Sequence, residues 1–282
     1  MRLYDFIKTF RPVHWIKNLL VLAPLFFSGE VFPFRWKELS HEFTAFAGFC
    51  FASSMIYVVN DLRDAAQDRA DPAKCRRPYA AGRIAAREMY VSAAALFAAA
   101  AACAISIRGM YAGLVAFYIC VMVLYTWLLK RYAVLGVAVI AGGMILRILA
   151  GAVAIGVDVS VWVYPAAFLL AFYVVAGKRF YGDPPGVGAG PSKLEKAVFA
   201  LSGAATFAVY LIYCFSGVGP EKYHTRHLWV TAPFVGIAVW RYGAVARGFG
   251  SGKEHLQAIL SDKMIVISVL VWLAVFTALI YL

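Results

Sequence analysis

Asn60-Asp61-Leu62-Arg63-Asp64-Ala65-Ala66-Gln67-Asp68 ends one long apolar run and opens the most highly charged segment of the chain. In a helix each residue turns the chain by ~100°, so Asn60, Asp61, Asp64 and Asp68 fall within an arc of about 100°. Their polar tips then share one face. Three carboxylates there cannot neutralise one another, and like charges this close demand a counter-ion. Hard oxygen ligands with no His or Cys among them suit Mg²⁺, with Mn²⁺ as a substitute. Such ions reach a protein through a few carboxylates together with substrate phosphates. The stretch reads as a magnesium–diphosphate clamp at a membrane surface, with Asp61, Asp64 and Asp68 as metal ligands and Asn60 assisting.

The surrounding composition supplies the membrane. A chain of 282 residues that is 63% hydrophobic and 15% charged is too apolar for an ordinary soluble domain. Nine apolar runs of bilayer-crossing length are expected at roughly 15–32, 40–60, 88–107, 110–129, 133–155, 159–177, 196–217, 228–246 and 264–282. The first is the weakest, interrupted by Lys17, Asn18, Pro24 and Glu30. Met1–Phe10 is charged and is not followed by a short apolar region with a small-residue cleavage site, so no cleavable signal peptide is expected. The expected fold class is all-α and polytopic, with residues 1–282 as one integral-membrane domain.

Basic residues give the orientation. With nine spans and the N-terminus inside, the inner segments hold Arg2, Lys8 and Arg11, the seven bases from Arg63 to Arg87, and Lys130 with Arg131. They also hold Lys178, Arg179, Lys193 and Lys196, then Arg241, Arg247, Lys253 and Lys263. Only Arg35, Lys37, Arg108, Lys222 and Arg226 fall outside. The acidic face is therefore expected on the cytoplasmic side of a bacterial-type plasma membrane. The net charge of +12 signals topology and anionic lipid, and nucleic acid is not an expected partner.

The remaining polar positions each have a plain and a functional reading. Asp71-Pro72-Ala73-Lys74-Cys75-Arg76-Arg77-Pro78 is either a positive-inside loop or a set of bases that grips part of a polyphosphate whose metal sits on the acidic face. Tyr125 with Lys130 and Arg131 is either an interfacial belt or part of the site. Arg147 lies inside the run 133–155, where a charge is costly and faces a polar cavity or a partner. Lys178-Arg179 closes the sixth run on the side of the acidic face, followed by Asp183 and the turn-forming stretch from Pro184 to Pro191. Lys17 and Asn18 are oddly polar for the start of a span, and the nearby His14 reads as an interfacial residue. Apart from Glu30, the spans show almost no acid, which argues against an ion or lipid transport pathway. Cys50, Cys103, Cys120, Cys214 and Cys75 have neither metal-site nor redox spacing and read as packing residues.

Taken together, the Asn-Asp-x-x-Asp-x-x-x-Asp face, the following Arg77-Pro78-x-x-x-Gly82 and the Tyr125…Lys130-Arg131 resemble the UbiA superfamily of membrane prenyltransferases. The resemblance spans essentially the whole chain and implies nine helices around a central cavity. Three further features resemble its decaprenyl-phosphate phosphoribosyltransferase branch. They are Arg11-Pro12-x-x-Trp15-x-Lys17-Asn18 with Ala23-Pro24-Leu25-Phe26, Leu146-Arg147-x-x-Ala150-Gly151, and Gly177-Lys178-Arg179. That branch moves phosphoribose from phosphoribosyl diphosphate (PRPP) onto a polyprenyl phosphate.

One departure separates the two chemistries. The prenyltransferases that this chain resembles carry a second acidic cluster after the sixth span, whereas here Lys178 and Arg179 stand beside Asp183 alone. Fewer acids and more bases suit an acceptor that is itself a phosphate. The resemblance then implies that Lys74, Arg76 and Arg77 bind donor phosphates. Lys17, Lys178 and Arg179 would orient the acceptor phosphate or the donor's 5-phosphate, with Asn18, Tyr125, Lys130, Arg131 and Arg147 as further substrate-binding positions. The alternative is an ordinary prenyl transfer to an aromatic or other acceptor. A homo-oligomer is compatible with either.

Overall fold

The computed structural model describes residues 2–27, 36–72, 74–107, 109–182, 190–216, 225–248 and 255–281. Among them there is no strand. The helices are α1 (Arg2–Phe10), a 3₁₀ segment (Pro12–Val21), α2 (Ala23–Phe27), α3 (Trp36–Ala70), α4 (Ala86–Ile107), α5 (Gly109–Trp127) and α6 (Ala133–Ile155). They continue with α7 (Val163–Gly177), α8 (Lys193–Phe215), α9 (Ala232–Arg247), α10 (His255–Ser261) and α11 (Lys263–Tyr281). Eight of these, α3 to α9 and α11, are long and apolar enough to cross a membrane, and the protein is multi-pass.

The difference from nine lies at the first expected run. There the chain forms the 3₁₀ segment and the five-residue α2, and residues 28–35, including Glu30, lie outside the described residues. Lys17, Asn18 and Pro24 interrupt the apolar pattern that a membrane helix needs. A ladder of contacts shows where the segment runs. Arg11 bonds Asp61, Trp15 Nε1 donates to Ser54 Oγ at 3.0 Å, and Asn18 Nδ2 donates to Ser53 Oγ at 3.1 Å. Numbers rise on one side as they fall on the other, so the segment descends antiparallel to α3. At ~2 Å of rise per 3₁₀ residue, its ten residues cover ~20 Å of a ~30 Å hydrocarbon core.

The chain packs as two compact units, Met1–Lys130 with Leu146–Val159, and Arg131–Ile145 with Ser160–Leu282. In the first, the 3₁₀ segment, α4 and α5 pack around α3. Gly151 allows its closest approach: a Cβ there would overlap the Val21 carbonyl oxygen and lie 3.2 Å from Glu42 Oε1. In the second unit the core is aromatic. Tyr173 stacks on Phe199 with ring centroids 4.6 Å apart and meets Tyr242 edge-on at 5.1 Å. Tyr242 Oη donates to the Val174 carbonyl at 2.7 Å and Tyr173 Oη to the Val239 carbonyl at 3.1 Å, so two phenols tie α7 and α9 reciprocally. A capping box starts α8: Ser192 Oγ accepts from Glu195 N while Glu195 Oε2 accepts from Ser192 N. The five cysteines are free thiols, with Cys50 and Cys214 buried.

Candidate active site

α3 has 35 residues, ~52 Å at 1.5 Å each, against a hydrocarbon core of ~30 Å. Asp61 is 25 positions past Trp36, or ~37 Å along the axis, so the acidic face stands at the end of the helix that clears the core. The expected face is therefore real and close to water, yet it is not open. Asp61 and Asp68 are each only 3% exposed.

Their counter-charges come from three separate elements. Arg11, just before the 3₁₀ segment, bonds Asp61. Arg77 Nη1 donates to Asp68 Oδ2 at 2.6 Å and reaches Asp61 Oδ1 at 3.4 Å. Lys130, past the end of α5, bonds Asp64. The counter-ion that the three carboxylates demand is thus met by side chains here. No group of three His, Cys, Asp or Glu side chains poised around one metal position occurs among the described residues. The donor set nevertheless fits a hard cation. Asp61 and Asp68 converge on one guanidinium nitrogen, so the two carboxylates already share a single positive centre.

Arg11 is held under strain. Its backbone lies in the left-handed region, φ 53 and ψ 56, a conformation that costs a non-glycine residue about 1–3 kcal/mol. Its guanidinium stacks 5.0 Å from the centre of the Tyr57 ring, which also packs against His14 at 5.5 Å. The sequence reading held Arg11 only as part of a motif and did not place it in the site. Its signal was the Arg-Pro pair that opens the 3₁₀ segment.

The loop after α3 is braced rather than loose. Lys74 pairs with Asp71 at 2.8 Å, and Arg83 pairs with Asp5 at 2.9 Å while donating to the Arg76 carbonyl at 3.0 Å. This holds α1 against the loop, so the N-terminal helix and the acidic face lie at one end of the first unit. Of the three expected loop bases, Arg77 enters the cluster, Lys74 is engaged by Asp71, and Arg76 is exposed. Asn60 and Tyr125 are half-buried on α3 and α5, and Arg63 clamps the two helices by donating to the Trp127 carbonyl at 3.0 Å.

Deeper in the same unit, Arg147 is 6% exposed at the centre of a second polar group. Its Nε donates to Asn18 Oδ1 at 2.7 Å and its Nη2 to Tyr118 Oη at 2.9 Å. The guanidinium also stacks on the Tyr118 and Phe49 rings, at 4.8 and 5.7 Å. Asn18 in turn donates to Ser53 Oγ and to Cys50 Sγ. Arg147 and Asn18 thus belong together, joining α6 to the 3₁₀ segment, α5 and α3. Lys17 is half-buried on the 3₁₀ segment.

Glu42 corrects the expectation that the spans hold almost no acid. It sits near the other end of α3, fully buried, and neither carboxylate oxygen has a hydrogen-bond partner. It lies six positions past Trp36, inside the expected run 40–60.

In the second unit, α7 ends in a π-helical turn, Lys178–Gly182. Such turns widen the backbone ring and recur at functional sites. Phe180 anchors the turn, fully buried, with Lys178 exposed and Arg179 half-buried. Gly177 just before it is required by packing, since a Cβ there would overlap the Tyr242 hydroxyl. Arg131 is exposed, with its guanidinium 4.9 Å from the centre of the Tyr132 ring. Asp183 and most of the turn-forming stretch, residues 183–189, lie outside the described residues.

An acid–base cluster borne by one overlong helix, in a chain of membrane-crossing helices, defines an integral-membrane enzyme of the prenyltransferase type. The model of the UbiA prenyltransferase family matches residues 21–182, more than half of the chain, and the chain belongs to that family. It is similar to a decaprenyl-phosphate phosphoribosyltransferase of Mycolicibacterium smegmatis, 32% identical over 98% of this chain and 92% of the relative. A decaprenyl-phosphate phosphoribosyltransferase of Corynebacterium glutamicum is also 32% identical, over 94% of this chain and 83% of that one. In fold it resembles the solved structure of a UbiA homolog from Archaeoglobus fulgidus bound to DMAPP and Mg²⁺. The TM-score there is 0.71 at 21% identity, covering 98% of this chain and 99% of that one.

Proposed function

We propose that this protein transfers 5-phosphoribose from PRPP to a polyprenyl phosphate, releasing diphosphate, in a magnesium-dependent reaction at the cytoplasmic face of a bacterial plasma membrane. The observation that carries the reading is the interleaving of Asp61, Asp64 and Asp68 with Arg11, Arg77 and Lys130 in one cluster. A metal–polyphosphate brings both signs of charge and needs both kinds of partner. The near-full-length similarity to two phosphoribosyltransferases supports the choice of donor.

Asp61 and Asp68, with Asp64 and Asn60 beside them, would hold Mg²⁺, which when bound neutralises charge on the departing diphosphate. With the carboxylates holding the metal, Arg11 and Arg77 would bind phosphate oxygens, with Arg77 suited to a bidentate grip. Breaking the bond from ribose C1 to the diphosphate oxygen builds positive charge on C1, an oxocarbenium-like centre. An oxygen of the lipid phosphate bonds C1 from the opposite face, which inverts the configuration to a β-linked product. That oxygen is already ionised, so no general base is needed, and the protein contributes position and charge. Lys178 and Arg179, exposed and half-buried on their π turn, are assigned to a phosphate of acceptor or donor; Lys17, Lys74, Arg76 and Arg131 supply further positive charge.

Prenyl transfer from a prenyl diphosphate is the second reading, favoured by the fold shared with the Archaeoglobus fulgidus homolog. The purified protein should be given Mg²⁺ with labelled PRPP and polyprenyl phosphate, and separately with labelled prenyl diphosphate and an aromatic acceptor. Label should pass from PRPP into the lipid fraction. Label entering only from the prenyl diphosphate would replace this reading with the second.

A further inference from the structure

On the second unit an open cleft of about 770 Å³ lies between α8 and α9. Phe199, Ala204 and Phe207 of α8 and Trp240 of α9 line its length, and Lys196 and Arg247 stand at one end. The two helices run antiparallel there. Phe207 packs on Gly236 at the apolar end, and Lys196 faces Arg247 eleven residues further along each helix, 207 − 196 and 247 − 236. The cleft is thus ~16 Å long at 1.5 Å per residue, about half of a ~30 Å hydrocarbon core. Both cations are exposed, and among the described residues neither is paired with a carboxylate. Arg247 donates Nε to the Gly243 carbonyl at 2.8 Å, which fixes the guanidinium at the mouth with other donors to spare.

We propose that this cleft binds an anionic phospholipid, its phosphodiester on Lys196 and Arg247 and one acyl chain along Phe199, Ala204, Phe207 and Trp240. Three properties select this occupant. The cations stand at one mouth only, which sets headgroup against tail. The length matches one leaflet, whereas a long polyprenyl chain exceeds it. Basic pockets between helices at the cytoplasmic surface are the places where anionic headgroups bind, and the distribution of bases assigns this end to that surface. The lipid is bound and not consumed. None of its residues belongs to the acidic cluster, although Tyr181, on the turn that carries Lys178 and Arg179, also lines it.

The test is native mass spectrometry of the purified full chain, exchanged into detergent with phosphatidylglycerol or phosphatidylcholine of identical acyl chains. Wild-type protein is expected to retain phosphatidylglycerol about tenfold better. Lys196→Ala with Arg247→Gln should reduce that retention to the phosphatidylcholine level. Ala204→Trp, which fills the cleft and leaves the charges in place, should remove it as well. Equal retention of both lipids by the wild type, or undiminished retention in either variant, overturns the proposal. One-for-one displacement of phosphatidylglycerol by polyprenyl phosphate also overturns it, because the cleft then belongs to the acceptor.

Discussion

In the unit that carries the acidic face, the buried residues include Asn18, Glu42, Ser53, Ser54, Asp61, Asp68 and Arg147. In the other unit they include Phe172, Tyr173, Phe180, Phe199 and Tyr242, and no charged residue is buried among those described. Its polar groups settle locally instead: Ser202 and Thr206 donate to carbonyls three and four residues back, and the phenols of Tyr173 and Tyr242 close on neighbouring helices. Burying charge away from water is costly unless every group finds a partner. The first unit accepts that cost, which fits a region kept for chemistry. The second packs its core on aromatic rings instead.

The sharpest way to break the contrast is to neutralise the acidic face. Asp61→Asn or Asp68→Asn should lower kcat per folded molecule by at least about a hundredfold, with some loss of stability because Arg11 or Arg77 loses a buried partner. EDTA should abolish turnover until Mg²⁺ is restored. Normal turnover by these variants, measured as label transferred to lipid, would reassign the face to structure. Next in size is Arg147→Met. It leaves Asn18 and Tyr118 without their charged donor and should cost about 3 kcal/mol, seen as a lower midpoint of denaturation in detergent. A variant as stable as wild type would mean that the polar interior contributes nothing to the fold.

Lys178→Ala and Arg179→Ala probe the π turn, where the second unit is assigned its principal role in the chemistry. Each should raise KM for PRPP or for polyprenyl phosphate tenfold to a hundredfold, about 1.5–3 kcal/mol, with Arg179→Lys restoring only part. Unchanged kinetics in correctly inserted protein would remove phosphate binding from this turn. The smallest effect is expected at Asp262, which caps α11 by accepting from Ile265 N at 3.1 Å and pairs with Arg241 at 2.9 Å. The hydrogen bond from Arg241 holds its carboxyl below the ordinary range. Its stabilisation is therefore present above the ordinary carboxylate range and lost as pH falls through the depressed one. Asp262→Ala should cost about 1 kcal/mol at neutral pH and nothing further in acid, by thermal shift across pH.

What the sequence made legible follows from local periodicity. Asn60, Asp61, Asp64 and Asp68 share a face because helical spacing dictates it, and eight of nine apolar runs became membrane-length helices because composition over about 20 residues decides that. Partners distant in sequence were not legible. Asp61 meets Arg11 across 50 residues and Asp64 meets Lys130 across 66, and no spacing rule announces either. Arg147 was readable as a charge in need of company, but not that its company is Asn18 and Tyr118. Glu42 escaped although it fell inside the expected run 40–60, because only packing shows that the position is closed.

The 3₁₀ segment has a consequence for how the chain enters the membrane. Residues 12–21 carry His14, Lys17 and Asn18, and a lysine at mid-bilayer depth opposes insertion by about 2.5–3.5 kcal/mol on translocon scales. Among the described residues, Asn18 bonds Ser53, Cys50 and Arg147, all of which emerge from the ribosome later. A nascent chain cut before α6 should therefore leave a cysteine placed at 21 open to membrane-impermeant maleimide, and one extended through Val159, where position 21 is buried against α6, should protect it. The order of assembly then runs against the order of synthesis, with an early segment settling only after a later helix is made.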